Sequence, residues 1–235
     1  MIFPRKILYQ LNHAAWRAVD LLFPPVCAGC GQLGERFCTD CVARSTQTRG
    51  DVCVLCGRSH PPGAGSCERA DWLDQVYAWG LHRDPLRKAV LGLKYRKNLA
   101  LGDALCQMLF EVAEYAHLDV DVVVPVPLSA KREQERGYNQ AALLARPLAL
   151  RMDRDYRPDV LQRVRETESQ VGKTLVQRRE NVRGAFTARS SQVSGKRILL
   201  VDDVLTTGST LDAAAQALKQ AGAVEVSAVV VTRAD

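Results

Sequence analysis

Ile198-Leu199-Leu200-Val201-Asp202-Asp203-Val204-Leu205-Thr206-Thr207-Gly208-Ser209-Thr210 decides how the C-terminal half of this 235-residue chain is read. Four consecutive apolar residues, Ile198 to Val201, predict a strand covered on both faces, the pattern of a parallel sheet. Leu211 to Ala221 predicts a helix that ends at Gly222. The acidic pair and the small-residue turn therefore lie where a strand stops and a helix starts, which is where open α/β sheets hold their ligands.

The residue types at that junction suit a sugar phosphate. The first amides of a helix lack intrahelical acceptors and sit at the positive end of its dipole, so a phosphate monoester accepts several hydrogen bonds there. Thr206, Thr207, Ser209 and Thr210 add hydroxyl donors. Gly208 has no Cβ, so the backbone can approach the phosphate and take a positive φ. Asp202 and Asp203 precede this cradle, within reach of the hydroxyls of a ribose whose 5-phosphate fills it, and carboxylates accept such protons well. No lysine precedes the last Ser-Thr pair, which excludes the Gly-Lys-Ser/Thr loop of nucleotide triphosphatases. The competing reading is a surface turn capped by serine and threonine beside an exposed acidic pair.

Upstream, Asp121 to Pro127 predicts a second apolar strand that opens into a basic loop, Leu128 to Gln140. This loop holds Lys131, Arg132, Arg136, Gly137, Tyr138 and Asn139, a composition suited to a pyrophosphate or to a solvated charged surface. Residues 151–197 carry 12 lysines and arginines against 6 acids, an excess as large as the formal net charge of +6 of the whole chain. Such a concentration attracts polyanions, from a phosphorylated sugar to a nucleic-acid backbone. Residues 157–185 contain no aromatic side chain on which bases could stack.

Seven of the eight cysteines fall between residues 27 and 67. Cys27-x-x-Cys30, Cys38-x-x-Cys41 and Cys53-x-x-Cys56 have the spacing that lets two thiolates face one tetrahedral zinc, and Gly31 and Gly57 allow the tight knuckle that turns amides toward sulfur. Phe37 to Ala43 predicts a short helix start. Cys27, Cys30, Cys38 and Cys41 are therefore expected to form one structural zinc site. Cys53, Cys56 and Cys67 supply three ligands, with His60 as a candidate fourth. They read equally as loop cysteines or as partners in a differently mixed site. Arg5, Lys6, Asn12, His13, Arg17 and Asp20 interrupt any apolar core of a secretory signal in Met1 to Phe23, which points to a reducing, cytoplasmic setting and to metal rather than disulfides. Cys106 lies in an apolar helical stretch and reads as buried.

Ile7, Leu8, Leu11, Ala15, Ala18, Val19 and Leu22 recur at helical spacing before Pro24 and Pro25, which predicts an amphipathic N-terminal helix over residues 1–25. Its stripe is expected to pack on the protein itself, with a membrane surface or partner helix as the alternatives. No run is long and apolar enough to span a bilayer. A cysteine-rich module over 26–73 and an α/β unit over 74–235 follow, the latter with a strand from Gln75 to Leu81 and helices over 85–92 and 99–116. Chelation is expected to unfold the front module and spare the back.

The Asp202 to Thr210 stretch resembles the phosphoribosyl pyrophosphate (PRPP) loop of the type I phosphoribosyltransferases. Together with Leu21-Leu22-Phe23-Pro24-Pro25, Leu93-Lys94-Tyr95, Pro125-Val126-Pro127-Leu128, Arg136-Gly137-Tyr138-Asn139-Gln140 and Gly184-Ala185-Phe186, the chain resembles the ComF family over nearly its whole length. The resemblance implies a type I phosphoribosyltransferase-like parallel sheet flanked by helices, preceded by a small zinc-binding module of the double zinc ribbon kind. It implies PRPP or another phosphoribosyl compound bound with Mg²⁺, the acids Asp202 and Asp203 on the ribose, and the turn on the 5-phosphate. Arg136, Gly137, Asn139 and Gln140 would lie on the pyrophosphate, with Arg165, Gln170, Arg178 and Asn181 in a closing loop. It further implies a part in natural transformation, with single-stranded DNA and DNA-uptake proteins as partners. Two classes stay open: a phosphoribosyltransferase, or a non-catalytic DNA- or protein-binding factor that uses the pocket as a nucleotide or PRPP sensor.

Overall fold

The computed structural model describes residues 5–48, 71–165, 182 and 184–234. Its centre is a five-stranded, all-parallel sheet built from β1 (Gln75–Leu81), β2 (Val122–Pro125), β3 (Asp155–Tyr156), β6 (Arg197–Leu205) and β7 (Glu225–Arg233), in the order β1-β7-β6-β2-β3. The apolar run of β6 lies at the middle of this order with Ile198 to Val201 fully buried, as a strand covered on both faces requires. Strand β1, over the predicted Gln75 to Leu81, belongs to the same sheet, so the run from Asp121 is its second strand in chain order.

Alternate side chains divide the core between the two faces. On one face Leu199, Val201, Val123, Val229 and Trp79 pack under α3 (Leu86–Tyr95), α4 (Leu101–Tyr115) and α6 (Gln140–Met152). On the other, Ile198, Leu200, Val124, Ala228 and Val230 pack under α8 (Ser209–Gln220) and an antiparallel pair, β4 (Leu161–Arg163) with β5 (Phe186–Ala188). The one-turn helix α7 (Ser190–Val193) precedes β6.

Leu128 to Gln140 is not simply a loop. Residues Ala130–Arg136 form helix α5, with the Ser129 hydroxyl accepting from the Arg132 amide and Gly137 closing the C-terminus. Its strongly helix-forming, charged sequence has no apolar period to reveal it. Helix α6 follows at once, its first amides capped by Asn139. Strands β3, β4 and β5 lie within the basic segment 151–197.

The N-terminal helix α1 spans Arg5–Leu22, but its predicted stripe is not the buried face: Leu11, Val19 and Leu22 are exposed. Polar and aromatic contacts hold it instead. Arg5 pairs with Asp155, His13 with Asp103, and Asp20 with Arg36, whose guanidinium lies over Trp16. Among the described residues no helix is long and apolar enough to cross a membrane.

The cysteine-rich front is continuous with the main core. Cys27, Phe37 and Cys41 belong to the same apolar cluster as Leu86, Leu93 and Leu105. Residues 46–48 run antiparallel along the outer edge of β1: Gln47 bridges Gly80, the Leu81 amide donates to the Thr46 carbonyl and the Thr48 amide to the Trp79 carbonyl. A Cβ at position 80 would lie 2.8 Å from the Thr46 carbonyl oxygen, so glycine permits this approach. The free edge of the sheet is thereby covered.

Candidate phosphoribosyl pocket and zinc site

All five strands run the same way, so the loops after β1, β2, β6 and β7 gather at one edge. The turn after β6 brings Gly208 to φ +78 as the N-cap of α8. The hydroxyls of Thr207 and Ser209 lie 2.9 Å apart; Thr206 is exposed and Thr207 and Thr210 are half-buried, while Gly208 and Ser209 are buried, so the turn meets solvent through its threonines. A twelve-residue helix behind it turns its first amides and the positive end of its dipole toward this edge. Its first turn is also tied to the start of β1, since Asp212 accepts from the amides of Trp72 and Leu73 at 2.9 and 3.1 Å.

Strand β6 runs on through both acids to Leu205, which gives them different surroundings. Asp202 Oδ1 accepts from the Asp203 amide at 2.8 Å. Half-buried within the strand, its carboxyl is pushed up to about 7, chiefly by loss of water around it and then by the charge of Asp203. Asp203 is buried and turns to α3, where Lys94 Nζ lies 2.9 Å from Oδ1. Its other oxygen, Oδ2, is buried with no hydrogen-bond partner among the described residues. Carboxylate oxygens in that condition are rare unless a ligand or ion completes them.

Lys94 is the functional residue that residue-by-residue reading missed. It reached the sequence analysis only inside the Leu93-Lys94-Tyr95 motif, because nothing in a lysine near a helix end announces a carboxylate on a strand more than a hundred residues away. His82, just past β1, also reaches this edge: its Nδ1 lies 2.8 Å from Thr232 Oγ1, and its pKa is lowered by burial and by the Lys94 and Arg87 charges.

The loop assigned to pyrophosphate is shaped by its own side chains. Asn139 donates from Nδ2 to the Val126 carbonyl at 3.0 Å and accepts the Ala141 amide, while buried Gln140 accepts from Arg136 Nη1 at 2.7 Å. Asn139 and Gln140 thus hold the loop, and Arg136 is the charge it presents. In the basic segment, Arg154 and Arg197 pair with Asp119, Arg197 also with Asp121, Arg157 with Asp155 and Arg189 with Asp159. The local excess of charge is therefore partly neutralised within the chain. Arg165 is described, whereas Gln170, Arg178 and Asn181 lie outside the described residues.

At the front, the Sγ atoms of Cys27, Cys30, Cys38 and Cys41 all lie within 4.8 Å of one another, with 3.6 Å between Cys27 and Cys41 and between Cys30 and Cys38. Four thiolates about 2.3 Å from a central zinc stand roughly this far apart, and far beyond a disulfide bond. Helix α2 (Thr39–Arg44) follows its N-cap Cys38, so it starts within the predicted Phe37 to Ala43. Burial opposes ionisation of Cys27, but amides of Cys38, Cys30 and Gly29 aimed at its sulfur bring its pKa down to about 6. Arg44 Nη2 reaches Cys41 Sγ at 3.3 Å and offsets thiolate charge. The donor set, its geometry and its second layer fit structural zinc. Cys53, Cys56, Cys67 and His60 lie outside the described residues.

Residues 135–235 match the family model of the phosphoribosyl transferase domain and residues 18–71 that of the double zinc ribbon domain. Competence protein ComFC of Bacillus subtilis is 30% identical over 221 residues, covering 90% of this chain and 85% of that protein. The chain belongs to the ComF family. Other relatives of this ComF-family chain are competence protein F of Haemophilus influenzae, 29% identical over 86% of the chain and 87% of that protein, and DNA utilization protein YhgH of Escherichia coli, 29% identical over 81% and 87%. Among solved structures, a glutamine PRPP amidotransferase from B. subtilis, complexed with ADP and GMP, is 27% identical at a TM-score of 0.37, covering 59% of this ComF chain and 26% of that chain.

Proposed function

We propose that the carboxyl edge of the sheet binds PRPP, or another ribose 5-phosphate ester, together with Mg²⁺. The 5-phosphate sits on Thr206, Thr207, Gly208, Ser209 and Thr210, the ribose hydroxyls on Asp202 and Asp203, and the pyrophosphate faces Arg136 and Gly137. The observation that carries this reading is Asp203 Oδ2, a buried carboxylate oxygen with no hydrogen-bond partner among the described residues, beside a helix-capping turn. Lys94 orients that carboxylate, so its second oxygen is placed to accept a hydroxyl proton or to face a cation. When bound, Mg²⁺ supplies charge neutralisation for the phosphate oxygens. The chain's own part in a transfer reaction is to hold the sugar in place and to stabilise negative charge at the Arg136 end of the pocket.

The competence and DNA-utilization names of the relatives support a part in DNA uptake or use; the cytoplasm as its place, and single-stranded DNA and DNA-uptake proteins as partners, belong to the same proposal. Arg154, Arg189 and Arg197 are paired within the chain, which reduces the basic surface they offer to that second role. Calorimetric titration with PRPP and Mg²⁺ tests the pocket: binding is expected, with loss in the Asp202→Asn, Asp203→Asn double variant. Equal affinity in that variant removes the assignment. Pyrophosphate release on addition of acceptor bases then separates an enzyme from a sensor.

A further inference from the structure

The C-terminal end of α3 and helix α5 enclose a cleft of about 350 Å³ that adjoins the proposed phosphoribosyl pocket. Lys94, Tyr95, Lys97, Arg132, Arg136 and Tyr138 line it, with Glu135 as the one acid. Two hydrogen bonds fix its walls. The Tyr138 hydroxyl donates to the Leu93 carbonyl at 2.6 Å, pinning the end of α5 to α3, and Lys94 is held on Asp203 at 2.9 Å. The cleft therefore shares one wall residue with the acidic pair and another, Arg136, with the loop beyond β2.

Two features define what it can hold. Tyr95 is 68% exposed, and the Arg136 guanidinium lies over its ring at 5.1 Å, which leaves a stacking surface in reach of solvent. Lys97 and Arg132 also face the cleft, and among the described residues neither side chain has a hydrogen-bond or ion-pair partner. A neutral ring would leave both cations without a counter-charge, whereas a bare inorganic anion would leave Tyr95 unused. The volume suits one small molecule. A strand-tracking nucleic-acid site needs successive stacking platforms along a groove, and this cleft offers one exposed ring.

We propose that the cleft binds a planar aromatic ring carrying its own carboxylate or phosphate, with the ring on Tyr95 and the anionic group on Lys97 and Arg132. Its position next to Asp203 makes it the place for the second ligand of the pocket; that placement rests on the phosphoribosyl reading, while the binding chemistry does not.

The test is equilibrium binding to the full chain of orotate as the aromatic carboxylate and phenyl phosphate as the aromatic phosphate. Uracil, inorganic phosphate and an oligothymidylate serve as comparisons, and PRPP with Mg²⁺ is titrated separately. At least one aromatic anion is expected to bind about tenfold or more tightly than uracil and inorganic phosphate, a difference of about 1.4 kcal/mol. Tyr95→Ala and Arg132→Ala should each weaken it by a similar factor, a larger loss than either causes in PRPP affinity. Both positions are exposed, so the variants retain the core. Uracil binding as well as orotate, unchanged affinity in both variants, or preference for the oligonucleotide at these residues would each overturn the proposal. Aromatic-anion binding without PRPP binding defeats the phosphoribosyl reading alone, and PRPP binding without aromatic-anion binding defeats the cleft alone.

Discussion

Lys94 Nζ stands 2.9 Å from Asp203 Oδ1, and both side chains are largely withdrawn from solvent. This pair links α3 to the central strand at the point where the proposed ribose would rest. Removing one member of a buried ion pair strands the other charge, at a cost of about 3–5 kcal/mol. Lys94→Met is expected to lose that much stability in urea unfolding and to abolish PRPP binding. Combining it with Asp203→Asn should restore most of the stability and none of the binding. A Lys94→Met protein as stable as the parent would show that the pair is not formed.

Asp202 has the opposite character, since its surroundings favour the protonated form up to about pH 7. A carboxyl whose folded pKa exceeds its unfolded value of about 4 makes the folded state lose stability as pH rises through the interval between them. The ligand-free protein should therefore become less stable from about pH 4 to pH 7, and Asp202→Asn should flatten that slope. PRPP affinity should move the other way and rise with pH up to about 8, because the ionised carboxylate is the better acceptor of ribose hydroxyls. Identical profiles for parent and variant would sink this assignment.

At Gly208 the backbone takes φ +78, a left-handed conformation that costs a residue with a Cβ about 1–2 kcal/mol. Gly208→Ala is expected to lower the unfolding free energy by that amount and to weaken ribose 5-phosphate binding. Gly195→Ala, at φ +71 outside the pocket, should cost similar stability and leave binding intact. Equal binding losses in both would mean that only the fold had suffered.

Zinc removal should reach further than the front module. Cys27, Phe37 and Cys41 pack into the same cluster as α3 and α4, and residues 46–48 cover the edge of β1. Chelation is thus expected to lower the melting temperature of the whole protein and to perturb the environment of Trp79, whose indole lies in that cluster and donates to Glu111. Cys41→Ser, at a fully buried sulfur, should be more damaging than Cys30→Ser at an exposed one. A thermal transition of residues 74–235 indifferent to chelator would restore the simpler picture of two independent parts.

Local order in the sequence was enough to read the strand before Asp202, the turn through Gly208, the helix that follows and the four-cysteine knuckle. Each of these is written in neighbouring residues: an apolar run, a positive-φ glycine before a helix, a Cys-x-x-Cys spacing. Helix α5 was hidden because an all-polar helix has no hydrophobic period, and the burial of α1 was misjudged because ion pairs and aromatic contacts, rather than its apolar stripe, hold it in place. Only the tertiary structure joined Lys94 to Asp203, set the acids in unequal surroundings, paired the surplus arginines with Asp119, Asp121 and Asp159, and fused the zinc module to the sheet. Those relations depend on distance in space between residues far apart in the chain, and charge or apolar surface in a sequence carries no label for the partner that folding will bring to it.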